Sequence, residues 1–408
     1  MLHLLLSLLL DIDARLDQLF KGRADRLTGQ FHDLIIHELG HARRLHQATR
    51  EGRLDAVRDA ARAVKPELLQ RSSGAPVDPA TVWKELRTAQ VVAFAETHDH
   101  VRCHEIQLEA LENLDTGKGD LAVGFEMFQR PAQPVLDQWV RGELTEWEFL
   151  EKVNWYRSWG FPYPLFRPIF LYCREHRIPM IALNAPQEVT RKVGRTGLRS
   201  LTDAERALVA EDLRLTDRAH RRNFDEIFPH HPGINLDFYY EAFCVWDETM
   251  AESAARHLRK AGGRMLVIAG SGHIRGGLGI PERIRRRTGG TFRILYTRDT
   301  GSAEENFDTL LAPGADVLWW TSPSPSPERP RLGLATSPDL VVTVVAPGSA
   351  AEKAGVRIGD VLKRAGRREL TQPESIRHFL ELRRREEFRL VVARDGRDVE
   401  LEVTVPLK

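Results

Sequence analysis

Val91-Val92-Ala93-Phe94-Ala95-Glu96-Thr97-His98 and Met265-Leu266-Val267-Ile268-Ala269-Gly270-Ser271-Gly272-His273 follow one pattern: an apolar run fit for a buried strand, then a histidine just past its end. In an open parallel sheet the C-terminal strand ends gather along one edge, where ligands bind. Two histidines far apart in the chain are therefore expected to face one pocket. Leu121–Phe125 running into Glu126, and Ile178–Leu183 running into Asn184, add two more apolar runs that end on a polar side chain. Helical patterns lie between them, over 132–140, 146–153 and 241–260. Alternation of strand with helix predicts an α/β fold with a parallel sheet.

The chain has 408 residues, 59 basic against 58 acidic, for a formal net charge of +1. That balance gives no global electrostatic case for a nucleic-acid or anionic-membrane partner. Arg285-Arg286-Arg287 and Arg383-Arg384-Arg385 read as solvated helix faces. Cys103, Cys173 and Cys244 are odd in number and widely spaced, which excludes a full disulfide framework and reads as buried thiols. Met1–Leu10 is apolar but about half the roughly twenty residues needed to span a bilayer, so no transmembrane span is expected. It lacks the basic start and small-residue cleavage site of a secretory signal.

Residues 1–80 are expected to form a helical extension. Within it, His37-Glu38-Leu39-Gly40-His41 has the form HExxH, in which two histidines one helical turn apart bind zinc. On a helix projection His37 and His41 fall at the edge of an apolar face, and Gly40 is poor in mid-helix. A zinc site and a helix-edge pair both remain readings of this motif.

Residues 81–320 are expected to form one domain, and from about Thr81 to Tyr296 it carries a family resemblance. Ala95-Glu96-Thr97-His98-Asp99, His104, Gln107, Gly124-Phe125-Glu126-Met127-Phe128-Gln129-Arg130-Pro131, Trp155 to Phe161, Leu183 to Glu188, Trp246 to Glu252 and Gly270-Ser271-Gly272-His273 are similar, in order, to the ChaN-like haem-binding family of the Tiki superfamily. The resemblance implies an α/β domain for haem binding and iron uptake or handling, related to metal-dependent peptidases that use two GxxH motifs. It also implies a cell-envelope or periplasmic setting, whereas the N-terminus as given fits the cytoplasm. One departure stands out: Ala95 occupies the first position of the first GxxH.

From the residues alone, Glu96, His98, Glu126 and His273 form a mixed N/O set suited to Mn, Co, Fe or Zn. Such a metal polarises a carbonyl and activates water, so these four are the catalytic and metal candidates of a hydrolase or peptidase. For haem the candidate ligands are His98, His104 and His273, with His100 on the same helix face as His104. The aromatic segment between Trp139 and Tyr172 offers a porphyrin wall, with Arg157 or Arg167 for a propionate, and reads equally as helix packing.

Thr321 to Pro327 alternates Ser and Pro, and 321–329 reads as an extended linker. Beyond it, 330–408 is similar to a PDZ domain of the bacterial protease-associated kind, through Arg331-Leu332-Gly333-Leu334, Pro347 to Ala351 and Ile358-Gly359-Asp360-Val361-Leu362. The resemblance implies that Leu332, Gly333 and Leu334 present backbone N–H groups to the carboxylate of a partner's C-terminal peptide. The expected partners are haem or a peptide substrate, such a C-terminal tail, and a second copy of the chain. Use of the PDZ groove alone would make the chain a non-catalytic adaptor.

Overall fold

The computed structural model describes residues 67–71, 77–228, 235–299, 314–322, 324 and 329–406. His37 and His41 of the HExxH lie outside them, as do most of the 1–80 extension and part of the 321–329 linker. The chain divides into two compact units, one of residues 85–294 with 325–408 and one of residues 1–84 with 295–324.

In the larger unit four strands run parallel in the order β2, β5, β3, β4, with ranges Val91–Glu96, Arg264–Gly270, Leu121–Gln129 and Met180–Asn184. All six residues of β2 are buried, and six of seven in β5. Strands covered on both faces are apolar throughout rather than alternating, which is why these runs stand out in the sequence. Register then builds the site: Glu96 pairs with Gly270, and Phe125 with Ile268. The ends of β2, β5 and β3 therefore lie abreast.

The helix Val101–Leu114 follows β2. His100 is its N-cap, its Nδ1 accepting from the Cys103 N–H at 3.2 Å, so the helix starts at Val101 and His100 precedes it. Helix Leu236–Ala261 is capped by Asn235, which accepts from Asp237 and Phe238. Its inner face carries Asp247, Glu248 and Glu252, all buried. Glu248 meets Arg283 at 3.1 Å, Arg286 at 2.8 Å and Arg287 at 2.6 Å. This corrects the reading of Arg285-Arg286-Arg287 as a solvated face: a buried carboxylate needs countercharge, and two of the three arginines supply it. Glu252 meets Arg130 at 2.9 Å. The three cysteines are free and buried, as expected.

Most of the aromatic segment is core. Trp139, Trp155, Tyr163, Phe166 and Phe170 are fully buried, packed mainly edge-to-face on one another, and Trp139 Nε1 donates to the Phe170 carbonyl at 2.9 Å. Arg167 is held by both oxygens of Glu146, at 2.6 and 2.7 Å. Helix packing, not a porphyrin wall, accounts for these residues.

The PDZ fold is in the same unit. β8 (Leu334–Thr336) pairs antiparallel with β9 (Val342–Val345), and β10 (Val361–Ala365), β11 (Arg368–Glu369), β12 (Glu387–Arg394) and β13 (Arg397–Thr404) form an antiparallel sheet in the order β11, β10, β12, β13. The helix Ser375–Leu382 closes a core that includes Leu332, Val342, Leu362, Leu380 and Leu390. This domain is docked on the α/β domain. The Glu151 carboxylate accepts from Thr371 Oγ1 at 2.7 Å, Ser375 Oγ at 2.8 Å and His378 Nδ1 at 2.6 Å, while Trp147 packs against the PDZ core.

In the smaller unit Leu295–Asp299 of β6 (Phe292–Asp299) runs parallel to β7 (Val317–Thr321), and β1 (Glu67–Arg71) pairs antiparallel with β7. A strand therefore stands inside the stretch expected to be a helical extension. Trp83 of the helix Pro79–Leu86 packs on Trp319 at 5.7 Å. Among the described residues no helix is long and apolar enough to cross a membrane.

Candidate functional site

Two imidazole–carboxylate pairs flank one further carboxylate where β2, β5 and β3 end. Buried Glu96 accepts from His98 Nδ1 at 2.6 Å and from Gln107 Nε2 at 2.5 Å, so both its oxygens are taken. Across the edge, His273 Nδ1 donates to Asp247 Oδ1 at 2.6 Å, and His220 Nε2 donates to Asp247 Oδ2 at 2.7 Å. Between the pairs lies Glu126, with Oε2 accepting from the Gly270 N–H at 2.5 Å and Oε1 3.5 Å from His273 Nε2. A carboxylate that takes Nδ1–H leaves Nε2 as the basic nitrogen, the arrangement that orients histidines toward an iron or other metal.

Gly270 explains the two motifs' different first residues. A Cβ there would stand 2.9 Å from His98 Cε1 and 3.4 Å from Glu126 Oε2, so any side chain would displace the site. Ala95, the first residue of the other motif, pairs with Ala269, one register step before the Glu96–Gly270 pair, and its methyl is buried in the sheet. Close approach of His98 therefore calls for glycine at Gly270, whereas the methyl of Ala95 is accommodated one step back from the strand end.

Electrostatics follow the pairing. Burial lowers the His98 imidazole, but the hydrogen bond and charge of Glu96, with Glu126 and Asp99, outweigh it and raise the pKa to about 9. For Glu96 burial opposes ionisation, and His98, His104 and Gln107 overcome it, holding the carboxyl below its usual range. Burial likewise opposes the charges of Asp247 and His273, yet each stabilises the other: Asp247 is held far below the ordinary value and His273 is raised.

Linkage gives a prediction for the ligand-free protein. A histidine whose folded-state pKa is raised contributes stability that is complete below 6.5 and is lost as pH rises through about 9. The gap in melting temperature between the wild type and His98→Gln is expected to be widest near pH 6 and to close by pH 10. A constant gap in thermal melts across that range would refute it. With 30% of its side chain exposed, His98 is partly screened, so the effect is modest.

His104 sets Nδ1 against Gln107 Oε1 at 2.8 Å and Nε2 against the His98 carbonyl at 3.0 Å, and is buried. It braces the loop that carries His98. Asn184 donates to the Glu126 carbonyl at 2.9 Å and accepts from the Ala185 N–H, tying the end of β4 to β3. Arg157 lines a cleft of about 300 Å³ with Lys152, Gln129 and Gln187. Asp247 and His220 were not among the residues expected at the site. Asp247 lies within the Trp246–Glu252 match, but no spacing rule joins it to His273.

A haem ligand needs an oriented imidazole and an apolar face beside it. The donor set meets the first condition at His98 and His273. Half-buried aromatics meet the second: Trp159 and Phe161 stand 4.7 and 4.9 Å from the His98 ring, and Trp246 lies edge-on to His273 at 6.0 Å, while buried Phe243 backs His273 at 4.9 Å. The Trp159 indole N–H is buried with no acceptor among the described residues, a donor that a bound group can use. A metal cage is less well supplied. Among the described residues no three His, Cys, Asp or Glu side chains stand together as ligands, because Glu96 faces His98 and Gln107.

Asp247 permits a sharp test. In Asp247→Asn the amide NH₂ would face one imidazole as donor, forcing that ring to protonate its far nitrogen. Haemin affinity is expected to fall about 10- to 100-fold, as for other lost orienting carboxylates. Unchanged affinity would remove Asp247 from the site.

The fold and site define an α/β domain with a strand-end imidazole–carboxylate site, joined to a peptide-recognition domain. Residues 82–284 match the family model described as haem-binding uptake, Tiki superfamily, ChaN, and residues 341–394 match that of the PDZ domain. The α/β domain belongs to the ChaN-like haem-binding family, and the C-terminal domain is a PDZ domain. The structure is similar to one titled cofacial heme binding to ChaN of Campylobacter jejuni, with a TM-score of 0.51, 17% identity, and coverage of 64% of this chain and 98% of that one. The HtrA3 PDZ domain bound to a phage-derived ligand covers 19% of this chain and 86% of its own, at 20% identity and a TM-score of 0.17. Among curated proteins, the chloroplastic Protein RETICULATA-RELATED 5 of Arabidopsis thaliana is 24% identical over 273 residues, 61% of this chain. The match spans 36% of that relative's length.

Proposed function

We propose that the protein binds haem at the edge formed by His98 and His273, in an iron-handling role, and that its PDZ domain ties this site to a partner's C-terminal tail. The observation that carries the reading is the pair of carboxylate-oriented imidazoles flanked by Trp159, Phe161 and Trp246. His98 or His273 would hold the group through Nε2, and the bound group would supply iron for ligand exchange. The aromatic rings would exclude water from the bound group, while Glu96 and Asp247 hold each Nδ1–H and leave each Nε2 as the nitrogen that would bind. Haemin titration of the purified chain tests it, and an unshifted Soret band at saturation rejects it.

A second reading is metal-dependent hydrolysis of a peptide, favoured by Glu126 standing between the two imidazoles, 3.5 Å from His273. Here Glu126 would act as general base toward water, and Mn, Co, Fe or Zn would supply Lewis acidity. Metal analysis of the purified protein separates the two. A stoichiometric divalent metal lost in His98→Ala and His273→Ala supports hydrolysis, and its absence with haemin bound supports haem.

A further inference from the structure

The peptide groove of the PDZ domain has a wall that comes from the other domain. The groove, about 460 Å³, is lined by Leu332, Gly333 and Leu334, by Ile376 and Leu380 of the helix Ser375–Leu382, and by Tyr156 of the α/β domain. Tyr156 is fixed from two sides. Its ring stacks on His378 at 5.4 Å and 25°, and its hydroxyl lies 3.4 Å from the Tyr163 N–H, which also donates to Glu381 at 3.0 Å. His378 is itself held by Glu151, and Arg329 donates to the Gly160 carbonyl at 2.9 Å. The groove is therefore shaped by docking, since Tyr156 cannot line it when the domains are apart.

Its charge is equally uneven. Arg329, Arg331 and Arg377 line it against a single carboxylate, Glu381, which burial pushes up to about 7. Among the described residues β8 pairs with β9 on one side only, leaving an edge to which an extended peptide can add.

We propose that this groove is a joint site of the two domains, and that its occupant is the free C-terminal tail of a partner protein with an apolar last residue and an acidic side chain just before it. The apolar residue lies among Leu332, Ile376 and Leu380, while the arginines meet the terminal and side-chain carboxylates. This rests on the reading of the PDZ domain as a peptide binder and adds to it the wall from Tyr156 and the preference for acid.

Fluorescence anisotropy on the full chain tests it with dye-labelled ten-residue peptides ending in Asp-Asp-Leu, in Lys-Lys-Leu, and in Asp-Asp-Leu amide. The acidic free acid is expected to bind about tenfold tighter than either of the others, as charge complementarity and carboxylate capture require. Tyr156→Ser is expected to weaken it at least about fivefold, with Tyr156→Phe close to wild type, by loss of the buried wall. Arg377 is exposed, with its guanidinium 5.7 Å over the Tyr156 ring, and Arg377→Glu is expected to erase the preference for acid over lysine. Equal binding of the acidic and basic peptides, or of the acidic peptide to wild type and Tyr156→Ser, overturns the joint site while leaving peptide binding in place. Failure of every free-acid peptide to bind the wild type overturns the peptide reading itself, and the joint site with it.

Discussion

Haemin added to the purified protein is expected to give a shifted Soret band, and His98→Ala or His273→Ala to weaken binding by at least about tenfold, the scale set by loss of an oriented ligand. The double variant is expected to lose little more than either single one, because two residues that serve one bound group are not additive. The geometry behind this is the shared frame: both imidazoles are fixed through Nδ1, by Glu96 at 2.6 Å and Asp247 at 2.6 Å, and both stand beside Glu126 and Gly270. His104→Ala is expected to act more weakly, since both its nitrogens already face protein oxygens and it acts on the loop below His98. Absorbance titration with a fitted Kd for each variant checks all four. Fully additive losses at His98 and His273 would mean two separate sites.

The strand-end histidines and Glu126 were legible because buried parallel strands leave continuous apolar runs, and the residue that ends such a run falls on the ligand-binding edge. The roles within the set were not. Glu96 reads as a ligand from its type, yet its strand position turns it toward Gln107 on the following helix, where it orients His98 instead. Asp247 is one polar residue in a 26-residue helix. Only the packing of that helix, and of His220 against it, decides that it meets His273. The aromatic segment divided three ways for the same reason: Trp155 and Phe170 entered the core, Trp159 and Phe161 came to His98, and Tyr156 reached the PDZ groove. The docking of the two domains left no trace in the pattern, because Glu151 reads as an ordinary acidic residue on a helix surface. Three hydrogen bonds from the PDZ domain give it its part.

Replacing Gly333 by valine is expected to abolish C-terminal peptide binding, a loss of at least about a hundredfold, on two grounds that act together. Gly333 has φ +81°, in the left-handed region closed to β-branched residues, and a Cβ there would stand 2.3 Å from Ser349 Cβ. Ser349 cannot simply retreat. Its hydroxyl caps the short helix Ala350–Lys353, and the neighbouring Ala346 and Ala351 N–H groups donate to the Gly333 and Leu332 carbonyls at 2.8 and 2.9 Å. The turn must therefore change its backbone, and with it the direction of the N–H groups that would receive a terminal carboxylate. The α/β domain makes its strand-end site without this turn, so haemin binding by the same variant is expected to match the wild type, which separates a local loss from global unfolding. Anisotropy with a C-terminal peptide and a haemin titration on one preparation give both readouts. Retained peptide affinity in Gly333→Val would place the carboxylate loop elsewhere.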